Sequence, residues 1–106
     1  MANIIVSGAG STEVNGTYAV IGEEGGKPLY ANKANSDIII IWAGNWVIAD
    51  SSTEFIYYFS NDDVATPDLC TTWEVHEGEP PVPTVTKEVT GNPKHFLYYA
   101  RMRGNQ

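Results

Sequence analysis

The chain carries a single cysteine, Cys70, so no internal disulfide can staple it, and the fold must hold through its core or through neighbouring chains. Alone, Cys70 reads as a small buried hydrophobe. Basic residues are scarce as well, six against thirteen acids, and a formal net charge of −7 argues against a nucleic-acid partner, because phosphate binding draws on Lys and Arg. The only histidines, His76 and His95, have no second ligand at His-x-x-x-His or Cys-x-x-Cys spacing, so neither a metal nor another cofactor is expected. No run approaches the ~20 apolar residues that cross a bilayer. No charged stretch followed by an apolar segment opens the chain. The expectation is a soluble protein without membrane insertion or a secretory signal. No segment supports a long amphipathic helix.

What is present points to β-structure. A length of 106 residues suits one domain, and 42% hydrophobic with 18% charged residues is the composition of a folded one. Six Tyr, three Trp and three Phe favour sheets and contact surfaces. Turn chemistry recurs at Gly8-Ala9-Gly10-Ser11, Asn15-Gly16, Glu24-Gly25-Gly26, Asn35-Ser36-Asp37, Ala43-Gly44-Asn45 and Asp50-Ser51-Ser52. Between these turns only short strands fit: Asn3 to Ser7, Thr17 to Gly22, Pro28 to Asn32, Asp37 to Trp42, Trp46 to Asp50, Glu54 to Ser60 and Thr72 to His76. The fold class is therefore all-β, a small antiparallel meander or compact barrel-like sheet of about six to eight short strands. Its clearest hairpin joins Ile38 to Trp42 with Trp46 to Ala49 around Gly44. Four consecutive Ile residues put apolar side chains on both faces, so that strand should be central or covered. Asn61 to Ala65 reads as a loop in which Asn or Asp could cap one helical turn.

Three segments are expected: a β domain over 1–77, a Pro-rich connector over 78–86 and a basic tail over 87–106. Pro80, Pro81 and Pro83 lack amide protons and favour polyproline geometry. Nine such residues would reach about 28 Å, enough to leave the domain. Through residue 86 the chain holds twelve acids and two bases, net −10, whereas residues 87–106 hold four bases and one acid, net +3. Within the tail, 95–103 alternates as a strand with one buried face, Phe96, Tyr98, Ala100 and Met102 opposing His95, Leu97, Tyr99, Arg101 and Arg103.

The motifs Val6-Ser7-Gly8-Ala9-Gly10-Ser11, Glu13-Val14-Asn15-Gly16-Thr17-Tyr18, Gly26-Lys27-Pro28-Leu29-Tyr30, Ile41-Trp42 to Trp46-Val47-Ile48, Tyr57-Tyr58 and Asp63 to Pro67, followed by Trp73-Glu74-Val75 and a Pro-rich stretch, carry a resemblance. Their order resembles the small Val-Asn-Gly-Thr-Tyr, paired-Trp β repeat module of poorly characterised phage structural proteins and of multidomain bacterial and protist proteins. It covers most of the chain up to Pro83; the tail has no counterpart. The resemblance implies a structural or adhesive unit and transfers no catalytic residues.

No catalytic constellation competes with that reading. Cys70 with either histidine lacks any local nucleophile–base signature. Asp62, Asp63 and Asp68 lack the alternation of a calcium loop, so turn capping is the better account. Gly8-Ala9-Gly10 is not followed by a helix, which leaves it a turn and not a phosphate loop. Asn15-Gly16-Thr17 matches a glycosylation acceptor, yet Asn-Gly is also what a turn requires. Trp42, Trp46, Tyr57, Tyr58 and Trp73 have three possible roles: core, a stacking platform for a glycan, or a subunit interface. The function expected is a non-enzymatic structural module, a virion decoration or fibre-associated protein assembled in the host cytoplasm. It would dock on copies of itself or on other structural proteins through Phe96, Tyr98, Tyr99, Arg101, Met102 and Arg103. The alternatives are a carbohydrate-binding or adhesion domain and a cytoplasmic accessory subunit of a cellular complex.

Overall fold

Alternating apolar residues between close turns produce a meander, as the composition requires. A computed structural model describes residues 2–89. They form one curled, half-barrel sheet of eight antiparallel strands. In chain order the strands are β1 (Ile4–Ser7), β2 (Gly16–Glu24), β3 (Lys27–Asn32), β4 (Ile38–Trp42), β5 (Trp46–Asp50), β6 (Phe55–Ser60), β7 (Glu74–Val75) and β8 (Thr84–Lys87). Their order across the sheet is β7-β6-β5-β4-β3-β2-β1-β8. Two single 3-10 turns, Thr12–Val14 and Pro67–Leu69, complete the described elements. The β2–β3 hairpin closes on Gly25 and Gly26, both at positive φ (63° and 84°), the twist-matched geometry that favours glycine. Four-Ile strand β4 is central, as its sequence demands.

The inner face of the curl is the core. Ile4, Val6, Tyr18, Tyr30, Ile38, Ile40, Trp46, Ile48 and Tyr58 are fully or almost fully buried there. Alternation places them: across β4 and β5, Ile40 faces Ile48 and Ile38 faces Asp50, while Ile39 and Ile41 point outward beside Ala49 and Val47. The buried hydroxyl of Tyr18 donates to the Val14 carbonyl at 2.5 Å, and burial pushes its pKa well above the ordinary tyrosine value.

The connector reading needs correction. Residues 78–86 do not leave the body, and the sheet does not end at residue 77. The chain crosses from β7, at one edge, and returns as β8 beside β1 at the other, with Thr84 to Lys87 paired to Ser7 to Ile4. The expected strand at 95–103 and the tail residues Phe96, Tyr98, Tyr99, Arg101, Met102 and Arg103 lie outside the described residues.

A latch holds the crossing segment. The Gly10 amide donates to the Pro81 carbonyl (3.0 Å), and Gly78 N–H donates to the Tyr57 carbonyl (3.1 Å). Tyr58 accepts from the Ser11 amide (2.9 Å) and donates to the Glu79 carbonyl (2.6 Å), while the Glu79 amide donates to Ser11 Oγ (2.9 Å). One phenol thus ties the β1–β2 loop to the strap. Tyr58→Phe keeps the ring but orphans two polar backbone groups at this latch. The expected cost is about 1–3 kcal/mol. It should appear as a lower urea midpoint at unchanged slope. An unchanged midpoint would show that the latch contributes nothing.

Candidate functional site

Of the three roles open to the five aromatics, four of them fill the first, the core, and they form no platform. Trp46 and Tyr58 are 0% exposed, Tyr57 7% and Trp73 9%. They are core side chains. Only Trp42 keeps a partly exposed ring, and that ring packs edge-on against Trp46 at 5.7 Å while Lys27 Nζ sits 3.9 Å from its centre. The same ammonium donates to Asp63 Oδ1 (2.6 Å) and to the Val64 carbonyl (2.7 Å), which also accepts from Trp46 Nε1 (3.0 Å). Trp42 is therefore part of a pin that fastens the 61–66 loop to the sheet. Tyr57 donates its hydroxyl to Glu13 Oε2 (3.1 Å), and burial, reinforced by that carboxylate, raises its pKa to about 12.

Several titratable residues are occupied in structural work. Asp62 accepts from the amide and hydroxyl of Thr71 (2.7 and 3.0 Å), which holds its carboxyl below the usual range. Asp50 is lowered in the same way by Ser52. Cys70 is half-buried against the core, and burial pushes its thiol up, the opposite of what activates a nucleophile. His76 packs its ring edge-on to Phe59 at 6.1 Å. Among the described residues, no group of three or more His, Cys, Asp or Glu could hold a metal ion, and no helix is long and apolar enough to cross a membrane.

The sheet edges and the outer face remain. β7 is only two residues long, with both side chains exposed. On the other side, β8 pairs through β1, and the ladder runs one step further: Glu88 N–H donates to the Asn3 carbonyl and Asn3 Nδ2 donates to Glu88 Oε1, both at 2.8 Å. Val85 points into the core and Lys87 lies on the same face opposite Ile4, while Thr84 and Thr86 face out. Among the described residues no strand pairs with the far side of β8, although the Pro67–Leu69 turn lies close to that strand. The outer face of β5 and β6 carries Val47, Ile56 and Phe59 around a shallow depression of about 170 Å³ bordered by Asn45 and His76.

What fold and site define together is a small all-β domain whose last strand pairs on one side only, with no assembled catalytic centre among the described residues. No family model, curated protein or solved structure matches the chain. Sequence reasoning missed β8 and the latch. The alternation Thr84-Val85-Thr86 was the available signal for the strand, obscured by the three prolines before it.

Proposed function

We propose that this protein is a non-enzymatic assembly module that docks through its C-terminal tail, serving as a virion decoration or fibre-associated component. The observation that carries this reading is β8. It is an edge strand separated by seven residues from a segment, 95–103, whose own alternation suits strand addition. The tail has net charge +3 and the chain before it −10, a complementarity that speeds encounter between copies. Strand addition supplies main-chain hydrogen bonds, and the row Phe96, Tyr98 and Met102 supplies apolar anchors. The virion setting draws on the order of the motifs from Val6 to Pro83. With four of the five aromatics buried, nothing favours the glycan-platform reading.

The test is removal of residues 90–106, cutting after Val89 so that β8 is kept. Full-length protein should sediment as a concentration-dependent oligomer. The truncated chain should keep the β-rich circular dichroism spectrum and sediment as a monomer. A truncated chain that still assembles, or one that unfolds, would overturn tail docking between copies.

A further inference from the structure

The sheet has two outermost strands, and they differ in what they offer an added strand. β7 presents Glu74 opposite Phe59 on the outer face and Val75 opposite Tyr58 on the inner face; both are exposed, Val75 at 38% although it is apolar. The His76 amide donates inward to the Tyr57 carbonyl (3.0 Å), so by strand alternation Val75 turns its own amide and carbonyl away from β6. Glu74, Glu77 and Glu79 fall within six residues here, and among the described residues none of them pairs with a Lys or Arg. β8 has no acid between Thr84 and Lys87, carries the Lys87 cation and has the Pro67–Leu69 turn close by.

The tail complements β7 on both faces. Its alternation over 95–103 puts Phe96, Tyr98 and Met102 in one row and Arg101 and Arg103 in the other. A strand laid beside β7 sets one row next to Val75 and the other next to Glu74, so apolar meets apolar and guanidinium meets carboxylate in a single arrangement. Beside β8 the same strand would meet no carboxylate on the strand itself, and one of its rows would face Lys87. The donor and the receiving strand also stand apart. In the order β7-β6-β5-β4-β3-β2-β1-β8, the tail follows the strand at one edge, while the acidic edge is the other.

We propose that the tail of one copy adds to β7 of the next, its apolar row over Val75 and its arginines against Glu74. The contact is heterologous, and copies joined by it close into a ring or run on as a filament. This inference rests on tail docking between copies and assigns its receiving site. Its test is charge exchange in the full-length protein, read as the self-association constant from sedimentation equilibrium. Glu74→Arg replaces an attraction by a repulsion and should weaken self-association about tenfold or more, while Glu74→Gln, which keeps the shape of the side chain, should weaken it about threefold. Reversing the tail with Arg101→Glu and Arg103→Glu together should match Glu74→Arg. Mixing that tail variant with Glu74→Arg should restore association, because each tail then finds an edge of opposite sign. Thr86→Arg on β8 is the control and should associate as the wild type does. Wild-type association of both Glu74 variants, or no recovery on mixing, would overturn the assignment of β7 and leave tail docking standing; a loss confined to Thr86→Arg would move the receiving edge to β8. Full-length protein that stays monomeric at all concentrations would overturn both.

Discussion

Ile40→Asp is expected to leave the domain unfolded at room temperature, and Trp46→Ala to cost about 3–5 kcal/mol. Both side chains are 0% exposed in the middle of the sheet, Ile40 between Tyr30 and Ile48, and Trp46 beside Ser60. Asp at 40 would bury a carboxylate with no cation among those neighbours. Truncating Trp46 removes its packing and also the hydrogen bond from its indole to Val64. A domain of this size has a total margin of only about 5–10 kcal/mol. Ile41→Asp, one residue along on the outer face, should retain the fold. Circular dichroism melts decide the matter: native-like melting of Ile40→Asp, or equal damage at 40 and 41, would mean that the inner face is not the core.

Gly10→Ala is expected to lift the strap off the body. Gly10 does not have positive φ; what it requires is space. A Cβ there would collide with the Pro80 carbonyl oxygen and lie 2.5 Å from that of Glu79, and both obstacles are backbone, which cannot rotate aside as a side chain does. Relieving the overlap breaks the Gly10–Pro81 hydrogen bond and strains the Ser11, Tyr58 and Glu79 latch. Three to four hydrogen bonds at about 1 kcal/mol each put the loss near 3 kcal/mol. Gly22→Ala is the control, since nothing lies within 4 Å of its added carbon. Urea midpoints should fall for the first and hold for the second, and the Ser11 amide should exchange faster only in Gly10→Ala. Protection of that amide at the wild-type level would refute the close-approach account.

Seven of the eight strands were legible because they follow one local rule, turn residues flanking β-branched and aromatic runs. β8 was not. Pro80, Pro81 and Pro83 correctly exclude ladder pairing over their own positions, but the stiff segment they make runs across the body and not away from it. Which way a polyproline stretch points is set by distant partners, here Tyr58 and Gly10, and no local pattern encodes that. The aromatics were only partly legible, for a related reason: core was one of the roles open to them, but local alternation does not bury all four. Tyr57 and Tyr58 are adjacent, so alternation would bury one and expose the other, yet both are buried. A bulge opposite Ile48 and Ala49 shifts the register of β6 by one residue and turns both rings inward. The Gly8-Ala9-Gly10 turn was half understood: Gly8 has the positive φ (73°) that suits a glycine turn, while Gly10 answers to a crossing that the sequence does not announce.

The pairing of β1 with β8 also governs how the body meets tension. Because the two strands are antiparallel, Asn3 and Glu88 lie side by side at the same end of the ladder, joined by two hydrogen bonds. A pull applied through the segments flanking them loads that ladder one rung at a time, Asn3–Glu88 first and Ser7–Thr84 last. It does not shear all rungs at once. The body therefore opens as a zipper, at forces far below those that a sheared pair of equal length withstands. Strung between two anchors it would yield at this seam, paying out β8 and the strap while the sheet from β2 to β6 stays intact.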